Sequence, residues 1–200
     1  AGGMQTDQGQ KSFEEIGAAL TAAVDALLAD PARAAGVLGA IQNPATLDRI
    51  AAARRLGRVL RDSAPIPGGD AARTATPLLI EVDADDRDAW GEERFGPIAF
   101  LIRCGDALTL AAESARERGA ITALVHSTDE AYLARARDAF ARAGAALSEN
   151  LTGGVYVNQS AAFSDYHVSG ANPAGTSCLT DAAYVANRFR IAMSRRPVAA

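Results

Sequence analysis

The run Glu92-Glu93-Arg94-Phe95-Gly96-Pro97 carries more chemical content than any other stretch of the chain. A carboxylate accepts hydrogen bonds from sugar hydroxyls, and a phenylalanine two residues on can pack against a flat heterocycle. The competing reading is structural: a charged turn with a core phenylalanine, ending in Gly-Pro because the chain must bend. A second candidate is a thiol nucleophile, since Cys178 lies in a polar stretch eleven residues from His167. Nearness in sequence does not by itself make a Cys–His pair. Cys104 closes an apolar run and reads as a small core hydrophobe, and His126 at the end of another run reads as structural. The carboxylates Asp83, Asp85, Asp86 and Asp88 lack the glycine and terminal glutamate of a calcium-binding EF-hand loop. They read as a solvated loop, and no metal ligand set is expected.

Composition narrows the class. A chain of 200 residues, 48% hydrophobic and 22% charged, is that of one globular domain with an aliphatic core. The formal charge of −4 and a sequence pI near 5.2 speak against nucleic acid, which demands a basic patch to neutralise phosphates. Lys11 is the only lysine among many arginines. Two cysteines without C-x-x-C spacing suggest neither a zinc site nor a disulfide framework, so a reducing cytoplasm is expected. No apolar run reaches the ~18 residues of a membrane span, and Ala1–Gln10 lacks the features of a signal peptide.

The elements that must position these residues follow from capping and periodicity. Ser12 and Glu15 form a capping box ahead of a helix with Phe13, Ile16, Leu20, Val24, Leu27 and Leu28 on one face. Asp30-Pro31 ends it and opens a further turn. Asn43-Pro44 starts a second helix, expected to carry Leu47, Ile50, Ala53, Leu56 and Leu60 inward until Ser63–Gly69. Pro77–Val82 is a short strand. A βαβαβ run comes next: strand Ile98–Cys104, helix Ala107–Arg118, strand Ile121–His126, helix Asp129–Ala143 and strand Gly154–Asn158. Ser127 with Glu130 reads as a second capping box. Near-continuous apolar strands point to parallel strands buried on both faces. A polar loop to Thr180, a brief helix Asp181–Asn187 and a strand Phe189–Met193 close the chain. The arginines around that strand leave two readings, an edge of this sheet or an arm reaching another subunit.

Several segments, in order and at comparable spacing, resemble aldehyde dehydrogenases. Glu93-Arg94-Phe95-Gly96-Pro97 resembles the family's Glu-x-Phe-Gly-Pro motif. Leu38-Gly39-Ala40 with the following helix looks like its Gly-Pro segment, and Pro77–Asp83 like the strand ahead of that motif. Gly119–Val125 is similar to its Gly-Leu-x-Ala-x-Val strand, Gly153–Asn158 to its Gly-x-Val-x-Val-Asn strand, and Val168-Ser169-Gly170 to its late Ser-Gly. The likeness runs from Gln8 to Pro197. The wording around Asn158 and the ending Ala186–Pro197 resemble the phenylacetic acid degradation branch, the PaaN type.

That resemblance implies an α/β fold, a parallel sheet with helices on both faces, over residues 1–187, and a C-terminal oligomerisation strand or arm over 188–200. It implies NAD or NADP as cofactor, with Glu93 holding the nicotinamide ribose hydroxyls and Phe95 flanking the nicotinamide ring. Phe163 would border the aldehyde entrance. Where many members carry Gly-Gly-x-Lys before the Ser-Gly, this chain has Asp165-Tyr166-His167, which alters the substrate side. The catalytic residues of the family are a cysteine nucleophile, a glutamate base and an amide oxyanion donor. The resemblance puts them, with the nucleotide-binding turn, upstream of Ala1, so no catalytic residue is expected here. The implied partners are a small-molecule aldehyde, free or CoA-linked and derived from phenylacetyl-CoA ring opening, and further copies of the chain in a homo-oligomer. Neither nucleic acid nor membrane is expected. The reading from another class is a noncatalytic α/β module that binds a partner through its C-terminal strand.

Overall fold

The computed structural model describes residues 4–66, 72–120, 122–151, 178–179, 191–192 and 194–197. The chain divides into two compact units, Ala1–Gly105 and Asp106–Ala200.

In the first unit a hairpin, β1 (Met4–Thr6) and β2 (Gly9–Lys11), leads into α1 (Phe13–Leu27). The expected capping box is formed: Glu15 N donates to Ser12 Oγ at 3.1 Å, and Ser12 N donates to the Glu15 carboxylate at 2.7 Å. Asp30 caps α2 (Pro31–Leu38), with Pro31 in its first turn. Asn43 Oδ1 accepts from the Ala45 amide at 3.0 Å at the start of α3 (Ala45–Ala53).

The helix expected to run on to Leu60 stops at Ala53, and Arg58–Arg61 forms strand β3. The cause is a close approach. A Cβ on Gly57 would collide with the Glu81 carbonyl oxygen and lie 2.7 Å from Val82 Cγ1. The backbone there runs flush against β4 (Leu78–Asp83) and pairs with it antiparallel. Leu56 and Leu60 still turn inward, but not from a helix: Leu56 packs on the core, and Leu60 lies against buried Gly17 of α1.

On its other side β4 pairs in parallel with β5 (Ile98–Arg103), from Leu78 opposite Ile98 to Asp83 opposite Arg103. Side chains alternate across such a sheet. Leu78, Ile80 and Val82, with Ile98, Phe100 and Ile102, meet Ile50 and Ala53 of α3 and Ala89 in one core. Burying leucine or isoleucine fully, as at Leu78 and Ile80, stabilises by about 2 kcal/mol each. The opposite face holds Leu101, against Gly17 of α1, together with Glu81 and Arg103. Helices therefore cover both faces of this sheet.

Glu81 and Arg103 form the centre of an ion network. Arg103 Nη2 lies 2.9 Å from Glu81 Oε1 and 2.7 Å from Glu14 Oε1, its guanidinium sits 4.0 Å from the Phe13 ring centre, and Arg58 also pairs with Glu81.

In the second unit, α5 (Ala107–Arg118) precedes the parallel unit β6 (Thr122–Val125), α6 (Glu130–Ala143) and β7 (Ala146–Glu149). Leu108 and Ala115 of α5, Ala136 and Phe140 of α6 and Leu147 of β7 form its core. The capping box expected at Ser127 and Glu130 is not formed. Asp129 caps α6 instead, accepting from the amides of Ala131 and Tyr132. Ser127 is already committed: its amide donates to Asn150 Oδ1 at 2.8 Å, its carbonyl accepts from Asn150 Nδ2 at 2.9 Å, and its hydroxyl accepts from Asp129 N.

Strand β7, Ala-Leu-Ser-Glu, is half polar and stands where no strand was expected. All four residues are buried. Glu149, 1% exposed, accepts from Arg137 Nη1 at 2.7 Å and from Ser194 Oγ at 2.8 Å. A carboxylate is tolerated at that depth only when so paired.

The burial on both faces expected of the apolar strands holds at β4, but β5 and β6 are half-exposed, with Leu124 44% exposed. Each lies at the edge of its three-stranded sheet, orders β3-β4-β5 and, with β10 at Ser194–Arg195, β10-β7-β6. The strand expected at Gly154–Asn158, the helix at Asp181–Asn187 and Phe163 lie outside the described residues. Within the C-terminal segment, β9 (Ile191–Ala192) pairs antiparallel with β8 (Cys178–Leu179), and β10 (Ser194–Arg195) pairs in parallel with β7.

The Arg103 and Arg58 guanidiniums hold the Glu81 carboxyl below the ordinary carboxylate range. Its folded pKa is therefore lower than its unfolded one, so the stabilisation is complete above about pH 4.3 and disappears as pH falls through the lowered value. Glu81→Gln is expected to destabilise the protein by about 1–2 kcal/mol at pH 7, and the gap to the parent should close in acid melts below about pH 4. A gap that stays constant with pH would contradict this role.

Candidate functional site

The parallel pairing of β4 with β5 requires a return connection from the end of one strand to the start of the other, and residues 84–97 supply it. The acidic stretch folds as a turn, with Asp86 N donating to Asp83 O at 3.1 Å, and runs into the single-turn helix α4 (Arg87–Trp90). Buried Ala89 seats α4 on the core, and Trp90 Nε1 donates to Asp83 O at 3.2 Å. Among the described residues no three histidine, cysteine, aspartate or glutamate side chains gather as a metal site.

The Glu93–Pro97 turn follows at once. Arg94 reaches back to α4, its Nη2 donating to Asp88 O at 2.7 Å and its Nε to Ala89 O at 3.4 Å. Arg49 Nη1 of α3 approaches Phe95 O at 3.5 Å. Gly96 has φ 154°, and a Cβ on it would lie 3.1 Å from Thr46 Cγ2; a side chain there would meet both strain and a close neighbour. Pro97 O accepts from Leu78 N at 2.8 Å, where β5 begins beside β4.

Facing the turn is the segment after α2. Ile41 N donates to Arg73 O at 2.7 Å, and Arg73 Nη2 donates to Gln42 O at 2.9 Å. Between turn and segment lies an open cavity of about 790 Å³, walled by Glu93, Phe95, Trp90, Phe100, Ile41 and Gln42 among others. That is within the usual size of a small-molecule site. Leu38 and Ala40 also line it, so two segments that the resemblance named separately meet across one cavity.

Phe95 is 71% exposed, which excludes the reading of it as a core residue. Glu93 is exposed beside it. A free carboxylate and a bare aromatic ring on the rim of one cavity make a surface suited to a hydroxylated ligand with a flat ring. Three further residues of the site carried no signal in the sequence reading. Trp90 is the only tryptophan but stands outside the motif, Arg94 occupies its variable position, and Arg49 lies far from it in sequence.

The remaining candidates stand elsewhere. Cys104 is half-buried just after β5 rather than deep in a core, and His126 is exposed after β6. Cys178 is in β8, while His167 and Phe163 lie outside the described residues. Among the described residues no helix is long and apolar enough to cross a membrane.

A solved structure of an NAD-dependent aldehyde dehydrogenase from Burkholderia multivorans is similar to this chain at 47% sequence identity and a TM-score of 0.77. This match supports the aldehyde dehydrogenase superfamily. It covers 96% of this chain and 36% of that one, so the chain spans about a third of its neighbour's length. The mixed α/β architecture accordingly matches a fragment of an aldehyde dehydrogenase fold. No family model matches the chain, and no curated protein matches it.

The exposure of Phe95 sets an expectation for its removal. Replacing a core phenylalanine with alanine costs about 3–5 kcal/mol, whereas an exposed one away from packing changes stability by about 0.5 kcal/mol or less. Phe95→Ala is therefore expected to leave the thermal midpoint nearly unchanged. A fall in stability of core size, read by calorimetry, would return this residue to a structural role.

Proposed function

We propose that this chain is the C-terminal part of the catalytic domain of an NAD(P)-dependent aldehyde dehydrogenase, and that the cavity beside Glu93 and Phe95 is the nicotinamide end of its cofactor site. The observation that carries the reading is the pairing of an exposed carboxylate with an exposed ring on one cavity, in a chain 47% identical to an NAD-dependent aldehyde dehydrogenase over 96% of its length.

In this reading Glu93 accepts hydrogen bonds from both ribose hydroxyls, and Phe95 packs on the face of the nicotinamide. Together they fix the ring for hydride transfer, an orientation effect rather than a chemical step of their own. The cofactor, when bound, accepts the hydride. The thiolate, base and oxyanion donors belong to sequence outside this chain. NAD is favoured over NADP by the likeness to an NAD-dependent enzyme. The substrate is an aldehyde oxidised to an acid. The wording of residues 153–175 and 186–197 favours a ring-opened semialdehyde of phenylacetyl-CoA breakdown, with Phe163 at the entrance. We place the working protein in the cytoplasm.

We further propose a homo-oligomer joined through Phe189–Met193. Phe189, Ile191 and Met193 alternate with Arg190, Ala192 and Ser194, the period of a strand with one buried face, and pairing with a second copy would cover that apolar edge. A noncatalytic module binding through the same strand is the alternative reading.

Three outcomes test these proposals. In the full-length enzyme Glu93→Gln is expected to slow single-turnover NADH formation about tenfold while capture of the aldehyde as the thiohemiacetal proceeds; unchanged hydride transfer would remove Glu93 from the cofactor site. The isolated chain should bind NAD weakly, with no micromolar affinity by calorimetry, because the adenine and pyrophosphate contacts lie outside it. Truncating the full-length protein after Asn187 should give monomers or aggregates by light scattering, and an intact oligomer would make that strand an internal edge.

A further inference from the structure

The residue between Glu93 and Phe95 differs from its neighbours in having a defined structural task. Arg94 is partly buried, and its guanidinium donates to Asp88 O at 2.7 Å and to Ala89 O at 3.4 Å. These carbonyls lie in α4, whose Arg87 carbonyl is taken by Gly91 N at 2.7 Å. The last carbonyls of a helix have no partner within it, and an arginine there is favoured both as donor and as a cation at the negative end of the helix. Ala89 is 2% exposed and fixed in the core, so the surface that Arg94 grips is rigid.

On the far side of the turn two main-chain bonds, Ile98 N to Gly96 O and Leu78 N to Pro97 O at 2.8 Å each, fix the start of β5, and the side-chain restraints are weaker. The Arg49 contact to Phe95 O is long, at 3.5 Å, and Gly96 contributes no side chain. Phe95 and Glu93 are themselves exposed and gain little packing from their surroundings. The orientation of both side chains toward the cavity thus depends on the backbone between them, and Arg94 is the side chain that ties the N-terminal half of that turn to α4.

We propose that Arg94 is a positioning residue: its fork onto the Asp88 and Ala89 carbonyls holds the Glu93–Phe95 turn in the geometry that presents the carboxylate and the ring to the cavity. This rests on the reading of the cavity as the nicotinamide end of a cofactor site, but the anchoring can be measured without any ligand. Arginine is suited to the task because its planar guanidinium reaches two acceptors at once, whereas a lysine ammonium reaches them as a single point.

The test uses this chain with Arg94→Met and Arg94→Lys. Hydrogen exchange read by mass spectrometry should show the hydrogen-bonded amides that bracket the turn, Gly91 and Ile98, opening at least tenfold faster in Arg94→Met, with peptides elsewhere unchanged. Unchanged exchange in that segment would overturn the proposal. Trp90, the only tryptophan, lines the same cavity, so its fluorescence reports binding of nicotinamide mononucleotide, a probe with the ribose and the ring but no adenine. The apparent dissociation constant, expected at millimolar concentration for the parent chain, should rise at least fivefold in Arg94→Met and less in Arg94→Lys. Equal affinity in the parent and Arg94→Met would overturn the proposal even if exchange changed. If the parent shows only linear, collisional quenching, the cofactor reading fails for this cavity, and the exchange result alone decides the role of Arg94. Should Arg94→Met not fold, as judged by circular dichroism, Arg94→Lys carries the same comparison.

Discussion

The first unit is organised by the parallel register of β4 and β5. Six successive residue pairs align from Leu78 and Ile98 to Asp83 and Arg103, and one face of both strands closes over Ile50, Ala53 and Ala89. Parallel strands cannot be joined by a tight hairpin, so the chain must travel back along the sheet between Asp83 and Ile98. That obligatory return puts α4 on the core and delivers the Glu93–Pro97 turn to the start of β5. The candidate site is a product of the crossover, and a slip of one residue in the register would turn the core residues of β5 outward.

Charge is used where the sheet has no further hydrophobic partner to offer. On the face opposite the core, Glu81 is gripped by Arg58 and Arg103, and Arg103 also reaches Glu14 and the Phe13 ring of α1. In the second unit Glu149 is fully enclosed and satisfied by Arg137 and Ser194. An isolated buried carboxylate would be costly, so each of these acids fixes the place of its arginine as much as it is fixed by it. Arg94 and Arg73 act on the backbone instead, donating to carbonyls on opposite sides of the cavity. A chain with one lysine and many arginines thus uses the forked geometry of guanidinium repeatedly.

The likeness to an aldehyde dehydrogenase covers nearly all of this chain but 36% of the other. Glu93 and the exposed Phe95 share the rim of one cavity, and in the proposed reading their part is binding rather than bond-making. The half-exposed apolar strands β5 and β6 depart from the burial on both faces that their sequence pattern predicts, each being the edge of its three-stranded sheet.

Local chemistry was enough to determine much of this protein from its sequence. The capping box at Ser12 and Glu15, Asp30-Pro31 ahead of α2, and helix α5 over Ala107–Arg118 follow from contacts within a few residues. Glu93 and Phe95 are singled out by resemblance to the Glu-x-Phe-Gly-Pro motif, since local chemistry alone leaves a structural turn as the competing reading. Tertiary structure decided what depends on distant partners. Gly57 meets β4, which turns an expected helix end into β3. Asn150 occupies Ser127 and passes the cap of α6 to Asp129. Arg137 and Ser194 make a buried strand of Ala146–Glu149. Whether Phe95 was core or surface was likewise open in the sequence, because periodicity gives no answer in a turn. Only the packing of Arg94 on α4 and of Gly96 on Thr46 leaves that ring outside the core and beside the cavity.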